Sequence, residues 1–457
     1  MNILSPFNFS IVGSVELDSA KQVEDKLIQG KKLSREFPQG LPKQERIAIL
    51  ERVVAIMKSR TEELAILATN EGGKPIQDSL VEIHRAINGV ELAKEYISQN
   101  HNKEIPMGLT PSSHNRKAFT HQEPIGLVVA ISAFNHPVNL IVHQVVTAFA
   151  AGCPVIVKPD LRTPLSCLKM ISIIEEAGVP KNWCQVVLCE HELSEKLATD
   201  LRVNFLNFIG SAKVGWYLRS KIAAGTRCAL EHGGLAPVIV EVDADFETMI
   251  TSLTKGAFYH AGQVCVSTQR IYVHQSILKK FCDELKKSAE KLNVGNPLLK
   301  ETEVGPIIST QELNRIHDWV TLAIEEGAEL ICGGKQISES CYAPTILLNP
   351  SEKSFISTKE IFGPVVAIYT YTETASAIAS ANATVYHFQA AVFTKDRERA
   401  FEISNQLNAS AVMINDHTAF RVDWMPFTGR DQSGLGTGGI KYTIEDYLLE
   451  KMIVIKE

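Results

Sequence analysis

Apolar and polar positions recur with two different periods along this chain, and the change of period divides it. From Pro42 the apolar residues Ile47, Leu50, Val54 and Met57 recur every three or four positions, which puts them on one helical face. Pro42 suits the first turn of that helix. A second helix is expected from Thr61 until Gly72-Gly73-Lys74-Pro75 stops it, and a third from about Ser79 to Ser98. These three read as a helical cover with little chemistry of its own.

From Gly126 the pattern shifts to short apolar runs. Residues 127–131, 155–157, 185–188, 204–209 and 228–230 read as strands, with helices over 137–151, 164–177 and 211–224 between them. Strands alternating with helices predict a parallel, doubly wound sheet, and such sheets bind ligands beyond the carboxyl ends of their strands. Asn135, Lys158, Gly210 and Glu231 each follow such an end, so the topology aims all four at one crevice. After Gly234 a second series begins, with strands at 238–240, 271–273, 365–369, 390–394 and 411–414. It predicts a second sheet, with Cys265 on its inner edge.

Composition narrows the class. A chain of 457 residues, 45% hydrophobic and 21% charged, has room for two or three domains and a large core. A net charge of -6 gives no basic footprint for nucleic acid or an anionic membrane. Nine cysteines without a CxxC pair read as reduced thiols of a cytoplasmic protein, with no disulfide framework and no metal site. The N-terminus lacks the basic flank and long apolar run of a signal peptide. The longest apolar stretch, 127–151, is broken by Asn135, His136, Asn139, His143 and Gln144, which argues against a membrane span.

Candidate chemistry centres on Tyr259-His260-Ala261-Gly262-Gln263-Val264-Cys265-Val266-Ser267. A thiol held where a helix gives way to a strand can attack an electrophile, although a lone cysteine is more often packing. Glu231, in Leu230-Glu231-His232-Gly233-Gly234, and Asn135, in Phe134-Asn135-His136-Pro137, change the balance. Thiol, carboxylate and amide are the parts needed to attack a carbonyl, move a proton and stabilise an oxyanion.

In this order and at these separations the three segments resemble the aldehyde dehydrogenase superfamily. The resemblance extends to Val157-Lys158-Pro159, Phe208-Ile209-Gly210-Ser211 through Gly215, Lys359-Glu360-Ile361-Phe362-Gly363-Pro364 and Met425-Pro426-Phe427. Phe-Asn-His-Pro and Phe420-Arg421-Val422-Asp423 are most similar to the subgroup near lactaldehyde, phosphonoacetaldehyde and sulfoacetaldehyde dehydrogenases. The resemblance implies an α/β fold of two doubly wound αβα domains with a small β oligomerisation flap. Residues 1–104 and 126–233 would bind the dinucleotide, 234–425 would form the catalytic domain, and 105–125 with 441–457 the flap of a homodimer or homotetramer.

It also implies roles. Cys265 would be the nucleophile, Glu231 the base for hydrolysis and Asn135 an oxyanion donor. Lys158, Gly210, Ser211, Glu360 and Phe362 would hold NAD or NADP. A coenzyme A-acylating enzyme, which generally lacks a base at Glu231, and a non-catalytic binding protein on the same fold are the alternatives. Two departures matter. NAD-preferring relatives often carry Glu where this chain has Leu161, followed here by Arg162, so NADP is expected with Arg162 near its 2'-phosphate. Thr428 replaces a glycine of the usual Pro-Phe-Gly-Gly. On the substrate side His136, Arg421 and Arg85 are expected to clamp a short polar or anionic aldehyde, unless Arg421 pairs with Asp423 or another carboxylate to fix its loop.

Overall fold

The computed structural model describes residues 1–99 and 101–457. Its first sheet has six strands in the spatial order Gly434–Leu435, Arg227–Glu231, Phe205–Ile209, Val128–Ile131, Val155–Lys158 and Cys184–Val186. All neighbours are parallel except Gly434–Leu435, which runs antiparallel to Arg227–Glu231. The second has seven, in the order Glu329–Cys332, Thr345–Leu348, Val365–Tyr371, Arg270–His274, Pro237–Val240, Gln389–Phe393 and Ala411–Ile414. Only its first pair is antiparallel.

Two-sided burial explains the short apolar runs. Val128, Ala130, Val155 and Val157 pack against the helices Lys43–Ser59, Thr61–Gly72 and Ile76–Ser98. Leu127, Val129 and Ile156 face the other way, onto Val23 and Leu27 of the helix Ala20–Glu36. A strand covered on both faces has no polar side. The second sheet repeats the scheme: Val238, Val240, Ile271 and Val273 point into one core, and Ile239, Tyr272 and Val392 into another.

Several elements differ from the sequence expectation. The helix Ala20–Glu36 was not anticipated, although its capping box of Ser19 and Gln22 is a local signal. The helix expected over 137–151 begins at Asn139 and contains a π turn at Val142–Val146. The one expected over 211–224 stops at Arg219. The antiparallel strand Leu448–Lys456 pairs with Arg116–Pro124, which pairs with Lys103–Ile105. The expected start of the flap at Lys441 instead lies in the helix Ile440–Asp446, whose Ile440 and Ile444 are buried in the first core. Among the described residues no helix is long and apolar enough to cross a membrane.

The helical cover also fixes the first sheet's helices by their N-termini. Buried Glu71 accepts the backbone N–H groups of Leu165 and Ser166, both at 2.8 Å. Buried Glu82 accepts those of Val138 and Asn139, both at 2.9 Å, at the start of the helix that follows Asn135. A carboxylate there satisfies orphan donors and meets the positive end of the helix dipole. Orphaning a buried donor costs about 1–3 kcal/mol. Glu71→Ala, which orphans two, is therefore expected to lower the thermal unfolding midpoint, with Glu71→Gln intermediate because one acceptor oxygen remains.

Candidate active site

The carboxyl ends of the two sheets meet at a cavity of about 770 Å³ lined by Asn135, Glu231 and Cys265. Glu231 is the last residue of its strand, and Asn135 lies four residues beyond Ile131. Cys265 stands between the helix Phe246–Phe258 and the strand Arg270–His274.

Cys265 is aimed by a strained turn. His260, Ala261 and Gly262 take positive φ values of 49°, 53° and 69°, conformations that cost a residue with a Cβ. At Gly262 a Cβ would lie 2.0 Å from the Gly363 carbonyl oxygen, so this turn requires glycine there. Gln263 pins the next step: its side chain donates to the Pro306 carbonyl at 3.2 Å and accepts from the Ile308 N–H at 2.9 Å. Its own carbonyl accepts the Asn135 side-chain amide at 3.0 Å. One N–H of that amide is thereby anchored beside the cysteine loop, and the other is left for an oxygen in the cavity. Of the nine cysteines only Cys228 and Cys265 are not fully buried.

Burial pushes the Cys265 thiol up to about 12, opposed by Arg421 and reinforced by Glu360 and Glu231. The resting group is therefore a thiol, and attack requires a proton acceptor. Burial also raises Glu231, against the pull of Arg421 and His143. A carboxylate with raised proton affinity is suited to act as that acceptor. Arg421 is the cation both groups face; burial lowers its own pKa. Its guanidinium lies 3.5 Å from the centroid of the Phe427 ring, and its Nε is buried without a hydrogen-bond partner among the described residues.

The residues expected to hold the cofactor line the same cavity: Lys158, Gly210, Ser211, Glu360 and Phe362. Glu360 accepts the Gly234 N–H at 3.2 Å, and a Cβ at Gly233 would come within 1.9 Å of its carboxylate. Burial raises this carboxyl to about 8, so it is short of polar partners that ribose hydroxyls would supply. Ser211 begins the helix Ala212–Arg219 with no side-chain cap, which leaves an anion-binding terminus open. The Gly210 N–H is not available, because it donates to the Glu231 carbonyl at 3.0 Å. Gly215 has a packing role, since a Cβ there would lie 2.0 Å from His232 Nε2. Lys158 is buried, with its pKa lowered by that burial. These features fit a dinucleotide.

Arg162 departs from expectation. Its guanidinium makes a bidentate pair with Asp160 at 2.8 and 2.6 Å and lies 4.4 Å over Phe134, whose ring abuts Phe362 at 5.8 Å. A 2'-phosphate would have to compete with the Asp160 carboxylate for it. No carboxylate stands at Leu161, which packs against Ile3, Val15 and Leu188.

The substrate side is also rearranged. Arg85 lines the cavity but is committed to Asp423 through two bonds of 2.9 and 2.8 Å. Asp423 further accepts from Asn139 at 3.1 Å and pairs with His143 at 2.7 Å. Burial alone would raise this carboxyl, but the His143 and Arg85 contacts hold it far below the usual range. His136 is not a cation: burial and the nearby Lys74 and Arg85 lower its pKa well below 6.5. Of the expected clamp, Arg85 is held by Asp423 and His136 is uncharged, while Arg421 makes no ion pair with Asp423 or another carboxylate among the described residues.

A family model described as the aldehyde dehydrogenase family matches residues 1–453. The chain belongs to the aldehyde dehydrogenase family. It is 40% identical over 413 residues to 3-sulfolactaldehyde dehydrogenase of Priestia aryabhattai, covering 90% of this chain and 86% of that protein. It is 35% identical over 462 residues to lactaldehyde dehydrogenase of Methanocaldococcus jannaschii, covering 100% and 97%. Among solved structures, glyceraldehyde-3-phosphate dehydrogenase GapN of Methanocaldococcus jannaschii, complexed with NADP, superposes with a TM-score of 0.95 at 35% identity, covering 100% of this chain and 99% of that one.

Sequence reasoning missed how this aldehyde dehydrogenase uses Lys74, Glu82, Asn139, His143 and Asp423. Asn139 and His143 were visible only as interruptions of an apolar run, yet their spacing of four sets them on one helical face with the cavity. Thr428, the departure in the last motif, donates to Thr437 at 3.1 Å. The opposed charges around Cys265 make a signed prediction. Arg421→Met raises the thiol pKa and should slow alkylation of Cys265 by iodoacetamide at pH 8, whereas Glu231→Gln lowers it and should speed the reaction. Peptide mapping that resolves Cys265 from Cys228 reads both rates.

Proposed function

We propose that this aldehyde dehydrogenase oxidises a short polar or anionic aldehyde to its carboxylic acid with NAD or NADP, through a covalent intermediate on Cys265. The observation that carries the reading is the convergence of Cys265, Asn135 and Glu231 on one cavity, with the Asn135 amide tied to the carbonyl of Gln263.

Glu231 takes the thiol proton, directly or through water, as the sulfur bonds to the aldehyde carbon and the carbonyl π pair moves to oxygen. The oxyanion accepts from the free N–H of Asn135 and the backbone N–H of Cys265, each such donor being worth about 2.7–4 kcal/mol. Glu360, Phe362 and the Ser211 helix terminus would hold the nicotinamide dinucleotide, which would supply the hydride acceptor for oxidation of the thiohemiacetal to a thioester. Glu231, having released its first proton to solvent, then takes one from water as the water oxygen attacks the thioester carbon. The C–S bond breaks, the acid leaves and the sulfur is released.

Arg421 supports a substrate with an acidic tail, because it is an unpaired cation beside the reacting groups. The sulfonate and phosphate in the names of two relatives accord with it, while lactaldehyde does not require it. Lys158 and the absence of a carboxylate at Leu161 support acceptance of NADP. The exposed apolar strand Leu448–Lys456 supports pairing between copies as a dimer or tetramer, and nine free thiols support a reducing, cytoplasmic setting.

A panel of small aldehydes, run with NAD and with NADP and with and without coenzyme A, tests the reading. Acid formation independent of coenzyme A is expected, with NADP accepted as cofactor. Cys265→Ala should abolish turnover, and Arg421→Ala should raise KM at least tenfold for acid-bearing aldehydes relative to neutral ones. Turnover in Cys265→Ala, or a strict requirement for coenzyme A, would refute it.

A further inference from the structure

Lys74 is 1% exposed in the turn between the helices Thr61–Gly72 and Ile76–Ser98. Its ammonium pairs with Glu82, also 1% exposed, and lies 2.9 Å from His136 Nδ1. Burying a lysine is costly unless it is paired, and Glu82 Oε2 provides that pairing. Glu82 Oε1 accepts the N–H groups of Val138 and Asn139. What Lys74 alone supplies is an N–H to His136.

An ammonium has donors and no acceptor. The imidazole nitrogen facing it must therefore accept, which places the ring proton on Nε2. Nε2 has no hydrogen-bond partner among the described residues and is not sealed from solvent, and His136 lines the cavity. The ring is fixed as well, stacked on Tyr259 at 6.3 Å and packed at 6.2 Å from His260. Lys74, Arg85 and Arg421 all oppose a second proton on it.

We propose that Lys74, neutralised by Glu82, is a positioning residue that fixes His136 as an N–H donor, through Nε2, to oxygen atoms on the polar tail of the aldehyde. This rests on the substrate site proposed above. Donor polarity at that point favours a carboxylate, sulfonate or phosphate tail and leaves an unsubstituted alkyl tail indifferent. A side chain at 74 that could either donate or accept would leave the tautomer undetermined.

The test compares succinic semialdehyde with butanal, which differ in the terminal acid, in the wild type, Lys74→Met, His136→Phe and the double variant. Lys74→Met is expected to lower the preference for the acid about tenfold through KM, the size of a lost charge-assisted hydrogen bond. Because Lys74→Met also leaves Glu82 Oε2 without its partner, the readout is the ratio of the two aldehydes, and Lys74→Met should have no further effect on that ratio once His136 is gone. Retained preference, an equal loss with and without His136, or an equal fall for both aldehydes would overturn the proposal. Failure of the wild type to oxidise either aldehyde would instead refute the functional reading beneath it. Should Lys74→Met not fold, neutron diffraction from wild-type crystals in D2O decides: a deuteron on His136 Nε2 and none on Nδ1 is expected, and one on Nδ1 overturns it.

Discussion

The hydrogen bond from the Asn135 side chain to the Gln263 carbonyl, 3.0 Å long, joins the two halves of the chemistry. Asn135 belongs to a loop of the first sheet, and Gln263 to the turn that presents Cys265 from the second. Without it Asn135 and Cys265, the proposed oxyanion donor and nucleophile, would be positioned by separate structures. Both ends are braced: Gln263 by Pro306 and Ile308, and the loop of Asn135 by Glu82, which caps the helix immediately after it. A donor must sit where negative charge will develop rather than move there during reaction, and this bracing is how the fold meets that requirement.

A second constraint is charge in a confined, dry space. Cys265, Glu231 and Glu360 are all pushed toward their neutral forms by burial, while Arg421 opposes that push at Cys265 and Glu231. The guanidinium lowers the proton affinity of sulfur and base, and in the proposed function it also offers a charge to an acidic tail. Asp423 keeps these functions apart from structure by holding Arg85, His143 and Asn139 together. Arg421, two residues earlier in the chain, has no carboxylate ion-pair partner among the described residues.

Much of this was legible from local pattern. Strand ends followed by Asn135, Lys158, Gly210 and Glu231 are readable because a parallel sheet buried on both faces writes itself as short apolar runs, and its ligands gather at one edge. The substrate side was less readable because charge state depends on partners far along the chain. Arg85 meets Asp423 across 338 positions, and His136 meets Lys74 across 62; neither pairing leaves a periodic trace. Arg162 is the opposite case: its partner Asp160 is two residues away, but the missing glutamate at Leu161 drew the reading toward a phosphate instead. The π turn at Val142–Val146 has no compositional mark, and it lies in the helix that carries His143 into the cavity wall.

The central claim is that the acyl group is carried on Cys265 and released by Glu231. Mass spectrometry of peptides from Glu231→Gln, quenched in acid after one turnover with aldehyde and NAD(P), tests it most directly. The account predicts that the Cys265 peptide gains the mass of the acyl group and loses it slowly. An unmodified Cys265 peptide accompanied by acid product, or an adduct on a different residue, would contradict it.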